Sequence, residues 1–297
     1  MTLPAFQRPA GKTAVLSIQS GVACGSVGNA AAVFCLRRSG HEVWPVDTVS
    51  FSNHPGHATY RGQVRSADAV AEIVDGLSDL GVLDRCRAVL GGYMGSAATA
   101  RVVLDAVRRI KAANPEALYC CDPVMGDRDS GFYVPEDLAT VFRDEAIAAA
   151  DILMPNHFEL EILTGRPLPA MSDVVEAARG LVGGGPSVVV VTSVIAAGIP
   201  EDTISTLAIS GAAVFRVSTP RLPLTARGAG DALAALILGH RLDGVSLSSA
   251  LTRAASSVFA VIAATAESKA PELKLVAAQD AIVDPARIFA AEEISLP

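Results

Sequence analysis

Short apolar runs alternate with longer stretches of helical periodicity through most of the chain, and that alternation restricts the fold more than any other feature. The runs are KTAVLSIQS from Lys12, HEVWPVDTVSF from His41, CRAVLGGYMG from Cys86, EALYCCDP from Glu116, ADILMPN from Ala150 and PSVVVVTS from Pro186. Between them lie VGNAAAVFCLRRSG, SADAVAEIVDGLSDLG, SAATARVVLDAVRRIKAANP, HFELEILTG and SDVVEAARGLVGGG, which have helical spacing and mostly end at glycine or proline. Strands separated by helices read as βαβ units with a mostly parallel sheet. After Ser193 the pattern changes. TISTLAIS and AAVFRVS flank Gly211 and read as an antiparallel hairpin, and helices follow over 229–241, 246–265 and about 272–283. No fixed-period repeat and no Ser/Gly linker divides the chain. The 297 residues therefore read as a single α/β domain, with residues 1–12 as a flexible N-terminal extension.

The charge balance narrows the partners. The net charge is −7 and no basic stripe appears, so nucleic acid is not expected as a ligand. An acidic protein that binds an anion must do so with backbone amides or a bound cation. The five cysteines form no C-x-x-C pair and read as buried thiols in a reducing cytosol. The N-terminal MTLPAFQRPAGK lacks an apolar signal core, and SSVFAVIAATA is shorter than the roughly 20 residues a bilayer requires. A cytoplasmic protein with no membrane partner is expected.

Ligand sites in open α/β sheets lie beyond the carboxyl ends of the strands. Glycine and polar residues gather there in SIQSGVACGSVGN, TVSFSNHPG, GGYMGS, CDPVMGD, PNHFELE, VTSV and TARGAGD. In TARGAGD, Gly228 and Gly230 allow amides to turn inward at a helix start, which suits a phosphate. Asp231 would stand in the first helical turn, where an acid also simply complements the helix dipole. A carboxylate beside a phosphate hole has an obvious chemical role, which is to take the proton of an attacking alcohol. CDPVMGD offers Asp122 and Asp127, either as turn-capping residues or as holders of Mg²⁺. Asn156 and Glu159 form a capping box that accounts for both without any ligand. SFSNHPGH reads locally as an edge hairpin, or as a cover over a small aromatic ligand. Walker A is absent, the dinucleotide fingerprint is misspaced, and no histidine pair has zinc-site spacing.

Taken together, LSIQS, GN at 28–29, WPVDTVSFSNH, GYMGS, CDPVMGD, YVPEDL, PNHFELEILTG, VVVTS and GAGD resemble the pyridoxal kinases of the ribokinase-like superfamily, from about Ala14 to Phe289. GAGD is shared across that superfamily, whereas SFSNH with GYMGS and CDPVMGD is specific to the vitamin B6 branch. The resemblance implies a three-layer α/β/α sandwich with a mostly parallel central sheet and antiparallel edge strands. It implies transfer of the γ-phosphate of ATP to the 5′-hydroxyl of pyridoxal in vitamin B6 salvage, with Asp231 as base and the amides of Gly228, Ala229 and Gly230 as anion hole. Ser20, Val49, Phe51, Pro55, Gly56 and Tyr93 would line the pyridine pocket. Asp122, Tyr133, Asn156, Glu159, Thr192, Ser193, Thr219, Pro220, Arg221 and Leu222 would meet ATP. Asp122, Asp127 and Glu159 would organise Mg²⁺, with room for a monovalent cation such as K⁺. A homodimer is implied. The chain departs from the pattern at Gly21, where many relatives carry histidine, at Cys24 and Ser26, and at Pro55 and Met154, which stand where threonine is common.

Two other readings remain open on the sequence. One is a related kinase of a hydroxymethylpyrimidine or a sugar. The other is a vitamin B6 binding protein without turnover. The aromatic Phe51 and Tyr93 favour a flat heteroaromatic over a sugar, and a pure binder would have no use for a base beside an anion hole.

Overall fold

The computed structural model describes residues 14–295, so the predicted extension over 1–12 lies outside the described residues. The strands are β1 (Ala14–Val22), β2 (Glu42–Phe51), β3 (Gly62–Val64), β4 (Cys86–Gly91), β5 (Leu118–Cys121), β6 (Gly126–Asp127), β7 (Gly131–Phe132), β8 (Ile152–Leu153), β9 (Val188–Val194), β10 (Thr203–Ser210), β11 (Ala213–Pro220) and β12 (Glu292–Glu293). Ten of them form one sheet in the order β12-β11-β10-β9-β8-β5-β4-β1-β2-β3, and β6 pairs with β7 apart from it. From β2 to β9 every pairing is parallel, while β3, β10, β11 and β12 join antiparallel at the two edges.

Helices cover both faces, which is why the central strands are apolar on both sides. Leu16 and Ile18 of β1 and Val189 and Val191 of β9 pack with helices Ala67–Asp79, Ala97–Ala113, His157–Thr164 and Met171–Leu181. Val15, Val188 and Val190 pack the other way, with helices Asn29–Arg38, Ala229–Leu242 and Leu247–Glu267. Cys120 and Cys121 fall into these opposite cores, as strand alternation requires. Cys24, however, is exposed, so the expectation of five buried thiols holds for four.

Three other sequence expectations need correction. The apolar stretch around Val258 belongs to a 21-residue helix, long and apolar enough to cross a membrane; half of its most apolar window is buried inside the protein. The predicted helix over about 272–283 contracts to Gln279–Val283. The residues before it bond neighbouring segments instead: Leu273 O accepts from Ser26 Oγ and Lys274 N donates to Thr265 Oγ1. The C-terminal region is also not all helical, because β12 closes the β11 edge with an ion pair between Arg216 and Glu292.

The connectivity matters for function. From β1 the chain crosses to β2 on one side, then returns to place β4 on the other side. Loops after β1 and β4 therefore diverge and leave a crevice at this switch point.

Candidate active site

The crevice is closed at one end by the start of helix Ala229–Leu242. This helix is buried continuously from Ala232 to Gly239, so its axis is fixed inside the core. Its N-cap, Gly228, is left-handed at φ 88°, and a Cβ there would fall 1.9 Å from Ser26 O. Only glycine fits that position. Gly28 is likewise at φ 54°, and its missing Cβ would lie 2.2 Å from both Ser20 O and Ser20 Oγ. These two close approaches press the loop after β1 onto the helix start. The Gly28 amide then donates to Asp231 Oδ2 at 2.9 Å. Burial pushes the Asp231 carboxyl up to about 6, with the Gly28 bond opposing. The predicted anion hole needs one adjustment: the Ala229 amide donates to Ala226 O at 3.1 Å to close the preceding turn, leaving those of Gly228 and Gly230 for a ligand.

Three further carboxylates surround the same space. Asp122 follows β5 and donates its amide to Gly91 O at 2.9 Å, joining the β4 and β5 ends. Burial, then the negative charges of Glu159 and Asp231, hold its carboxyl well above the usual carboxylate range. Tyr133, which follows the β6–β7 hairpin, has its phenol raised by desolvation and then by Glu159, Asp127, Asp122 and Asp231. One hydroxyl thus senses all four acids. None of the four makes an ion pair with a described residue.

Glu159 is 2% exposed and accepts from Met125 N (2.9 Å), Gly126 N (3.4 Å) and Asn156 N (2.8 Å). The capping box read from the sequence is complete. Burial pushes Glu159 up to about 7 against these bonds. With both oxygens occupied, Glu159 positions the loop carrying Asp122 and Asp127. Asp127 Oδ1 accepts from Asp129 N and Ser130 N inside the hairpin turn. Among the described residues no three acidic, His or Cys side chains assemble as a direct metal cage, so the predicted three-carboxylate ligand set is not formed. Hard oxygen donors with uncompensated charge nonetheless fit a divalent cation that keeps some of its waters, the usual state of Mg²⁺. We expect Glu159→Ala to lower stability by at least about 3 kcal/mol, since it leaves three buried donors unpaired at about 1–3 kcal/mol each. Denaturant unfolding checks this, and a loss under about 1 kcal/mol would contradict the three-amide clamp.

The side of the crevice formed by β2 and the loop after it is aromatic. Val49 is buried, Thr48 Oγ1 donates to Tyr93 O at 2.7 Å, and Phe51 meets Tyr60 edge-on at 5.2 Å. The Tyr93 phenol is raised by burial and then by Tyr60. Tyr60 was missed in the sequence; its signal is an aromatic on the returning arm of the β2–β3 loop. Pro55 and Gly56 sit near that loop's tip, with Gly56 exposed. Loop residue His57 approaches Glu272 Oε1 at 2.5 Å, and the Arg227 guanidinium packs against Gly56. Gly21 has its own account: a Cβ there would fall 2.4 Å from Asp47 Cγ, and Asp47 Oδ1 accepts from Asn29 Nδ2 at 2.7 Å. The space freed at Gly21 holds a carboxylate from β2.

The residues expected to meet ATP are partly gathered. Asn156 bridges to Thr192, and its Oδ1 and Nδ2 are used within the protein by Glu159 N and Gly126 O. Ser193 is left-handed at φ 50°, a strained state for a non-glycine residue near the end of β9. Thr219 and Pro220 end β11, and Arg221 N donates to Asp202 O; among the described residues no hydrogen bond links them or Leu222 to the carboxylate group.

The chain is also similar to known proteins. Residues 63–274 match the family model described as phosphomethylpyrimidine kinase. Its span omits β1, β2 and the loop after β2, where the aromatic pocket begins. Over a longer span the chain is 48% identical to pyridoxal kinase PdxY of Rubrobacter xylanophilus, covering 91% of this chain and 94% of that protein. It is 46% identical to pyridoxal kinase PdxY of Granulibacter bethesdensis, covering 94% and 99%. Among solved structures, pyridoxal kinase from Leishmania donovani in complex with ADP and pyridoxamine superposes with a TM-score of 0.89 at 28% identity, covering 96% of this chain and 100% of that one.

Proposed function

The chain belongs to the pyridoxal kinases, and from that premise we propose how its cleft carries the γ-phosphoryl group of ATP to the 5′-hydroxyl of pyridoxal. One observation carries the assignment of roles: Asp231, its carboxyl raised by burial to about 6, accepts from the Gly28 amide at 2.9 Å in the first turn of the helix capped by the left-handed Gly228. Asp231 takes the proton of the 5′-hydroxyl. The alkoxide oxygen bonds the γ-phosphorus, and the β–γ bridging oxygen leaves with ADP. Phosphoryl transfer is mostly positioning and charge stabilisation, and the Gly228 and Gly230 amides with the helix dipole supply part of that charge. Val49, Phe51, Tyr60 and Tyr93 stack on and around the pyridine ring, Ser20 bonds a ring substituent, and Pro55 with Gly56 covers it. Tyr133, Asn156, Thr192, Ser193 and the 219–222 segment face the nucleotide.

Mg²⁺ belongs to the same reading: Asp122 and Asp127 would hold it or its waters, where it neutralises the phosphate oxygens, and Glu159 fixes their loop. Chelation with EDTA is expected to abolish turnover and added Mg²⁺ to restore it. Undiminished turnover without a divalent ion would remove both aspartates from that role. Met154 is buried in the apolar core where threonine is common in the family, so the reading does not depend on a monovalent cation such as K⁺. The reading also includes a homodimer working in the cytoplasm. Pyrimidine phosphorylation is the lesser alternative, because the family model that suggests it stops short of the β1–β2 pocket.

A further inference from the structure

We propose that Arg227 grips the transferred phosphoryl group, clamping it against the anion hole in the product, pyridoxal 5′-phosphate. The inference rests on the kinase reading above and adds a residue to it.

Arg227 immediately precedes Gly228, the residue that shapes the anion hole. Its side chain reaches across the crevice to the tip of the substrate loop. A Cβ on Gly56 would fall 2.8 Å from Arg227 Nε and 2.9 Å from both Cζ and Nη2, so the guanidinium lies flat against that backbone. One residue therefore spans from the phosphate end of the cleft to the cover over the pyridine pocket.

Arg227 makes no hydrogen bond or ion pair with any described residue. A guanidinium carries five donors in a fork that matches phosphate oxygens. An arginine with a purely structural role would be expected to hold a carboxylate, and one is close: both Arg227 and Glu272 act electrostatically on His54. Yet Glu272 is committed elsewhere, to His57 at 2.5 Å and to the Ser26 amide at 3.4 Å. His54 adds no competing partner. Its Nδ1 accepts from Gly56 N at 2.9 Å, and burial together with the Arg227 charge keeps the imidazole neutral.

The loop is thus held from two sides, by Glu272 on His57 and by Arg227 under Gly56. Asp122, Asp127, Glu159 and Asp231 place carboxyl groups on the far side of the crevice, and Arg227 offers a cation from the substrate side. A phosphate attached to the 5′-oxygen and held by the Gly228 and Gly230 amides would lie beside the Arg227 backbone, and the guanidinium would turn from Gly56 to grip it. Arginine is suited to this bidentate work in a way that lysine is not.

Binding of pyridoxal and of pyridoxal 5′-phosphate, each titrated spectroscopically without ATP, tests the proposal in the wild type, Arg227→Ala and Arg227→Gln. Losing charged hydrogen bonds to a phosphate should weaken pyridoxal 5′-phosphate about 10- to 100-fold. Pyridoxal itself should shift by less than about twofold, because it lacks the phosphate, and kcat should fall about tenfold or more with KM for pyridoxal nearly unchanged. Arg227→Gln keeps much of the length and packing of the side chain, so it should show the same phosphate-selective loss if Arg227→Ala does not fold. Equal losses for both ligands would overturn the proposal and make Arg227 a loop anchor. Unchanged affinity for pyridoxal 5′-phosphate would also overturn it. A wild type that holds pyridoxal 5′-phosphate through Arg227 yet never consumes ATP would uphold the clamp and sink the kinase reading instead.

Discussion

Asp231→Asn is expected to lower kcat at least ~100-fold, the scale of losing a general base, while ATP affinity changes little. The amide oxygen of the variant can still accept from the Gly28 amide, so the helix start keeps its contact with the β1 loop. Stability gives the control. Burial raises the Asp231 carboxyl to about 6, above its unfolded value, so ionisation disfavours the folded state, and the stability present at low pH is lost as pH rises from the unfolded value through about 6. A neutral amide escapes that cost, and the variant should melt no lower than the wild type at neutral pH. The same shift sets a pH profile. The wild-type kcat/KM should drop about tenfold per pH unit below about 6 as the base protonates. Near-normal turnover in Asp231→Asn, measured by coupled ADP release, would remove Asp231 from the base role.

Gly228→Ala should be comparably damaging for a different reason. A left-handed backbone costs a non-glycine residue roughly 1–2 kcal/mol. More severe is the Cβ, which would fall 1.9 Å from Ser26 O, a backbone atom that cannot swing aside. Either the helix start or the Ser26–Gly28 turn must move, and the bond from Gly28 to Asp231 would be lost with it. Loss of one oxyanion-type donor costs about 10²–10³ in kcat, so a loss of at least ~100-fold with a lowered Tm is expected. Gly230→Ala is the matched comparison: nothing lies within 4 Å of its Cβ position and its φ is not positive. That variant should keep wild-type stability. Equal stability of the two variants by thermal melting would contradict the steric account of Gly228.

The parallel core was readable because its strands are buried on both faces and their helices carry clear start and stop signals. Val188–Val191 and the glycine stop at Gly183 illustrate it. What escaped the sequence is short or set by tertiary contact. The edge hairpin suggested by SFSNHPGH is formed by β2 and β3, but the three exposed residues of β3 carry no strand signal of their own. β12 consists of two glutamates held by β11. The β6–β7 hairpin is four paired residues whose turn depends on Asp127.

The site shows the same division. Asp231, Gly228 and Gly230 stood out in the sequence by their placement after the last strand read from it and by the GAGD resemblance, since glycines before an acid at a helix mouth can equally be a turn and a dipole partner. Glu159 was legible as a capping residue, and the geometry gives it that role. Tyr60, Asp47 and Arg227 were not legible. Each matters through a neighbour that sequence spacing does not reveal: Tyr60 through Phe51 across the β2–β3 loop, Asp47 through the missing side chain at Gly21, and Arg227 through Gly56.

The central claim is chemical, and the identity of the phosphorylated product tests it most directly. The wild-type protein incubated with Mg²⁺-ATP and an equimolar mixture of pyridoxal and hydroxymethylpyrimidine should yield pyridoxal 5′-phosphate as the main product by mass spectrometry and ³¹P NMR. Phosphorylated pyrimidine in excess, or pyridoxal bound but unchanged while ATP remains intact, would contradict it.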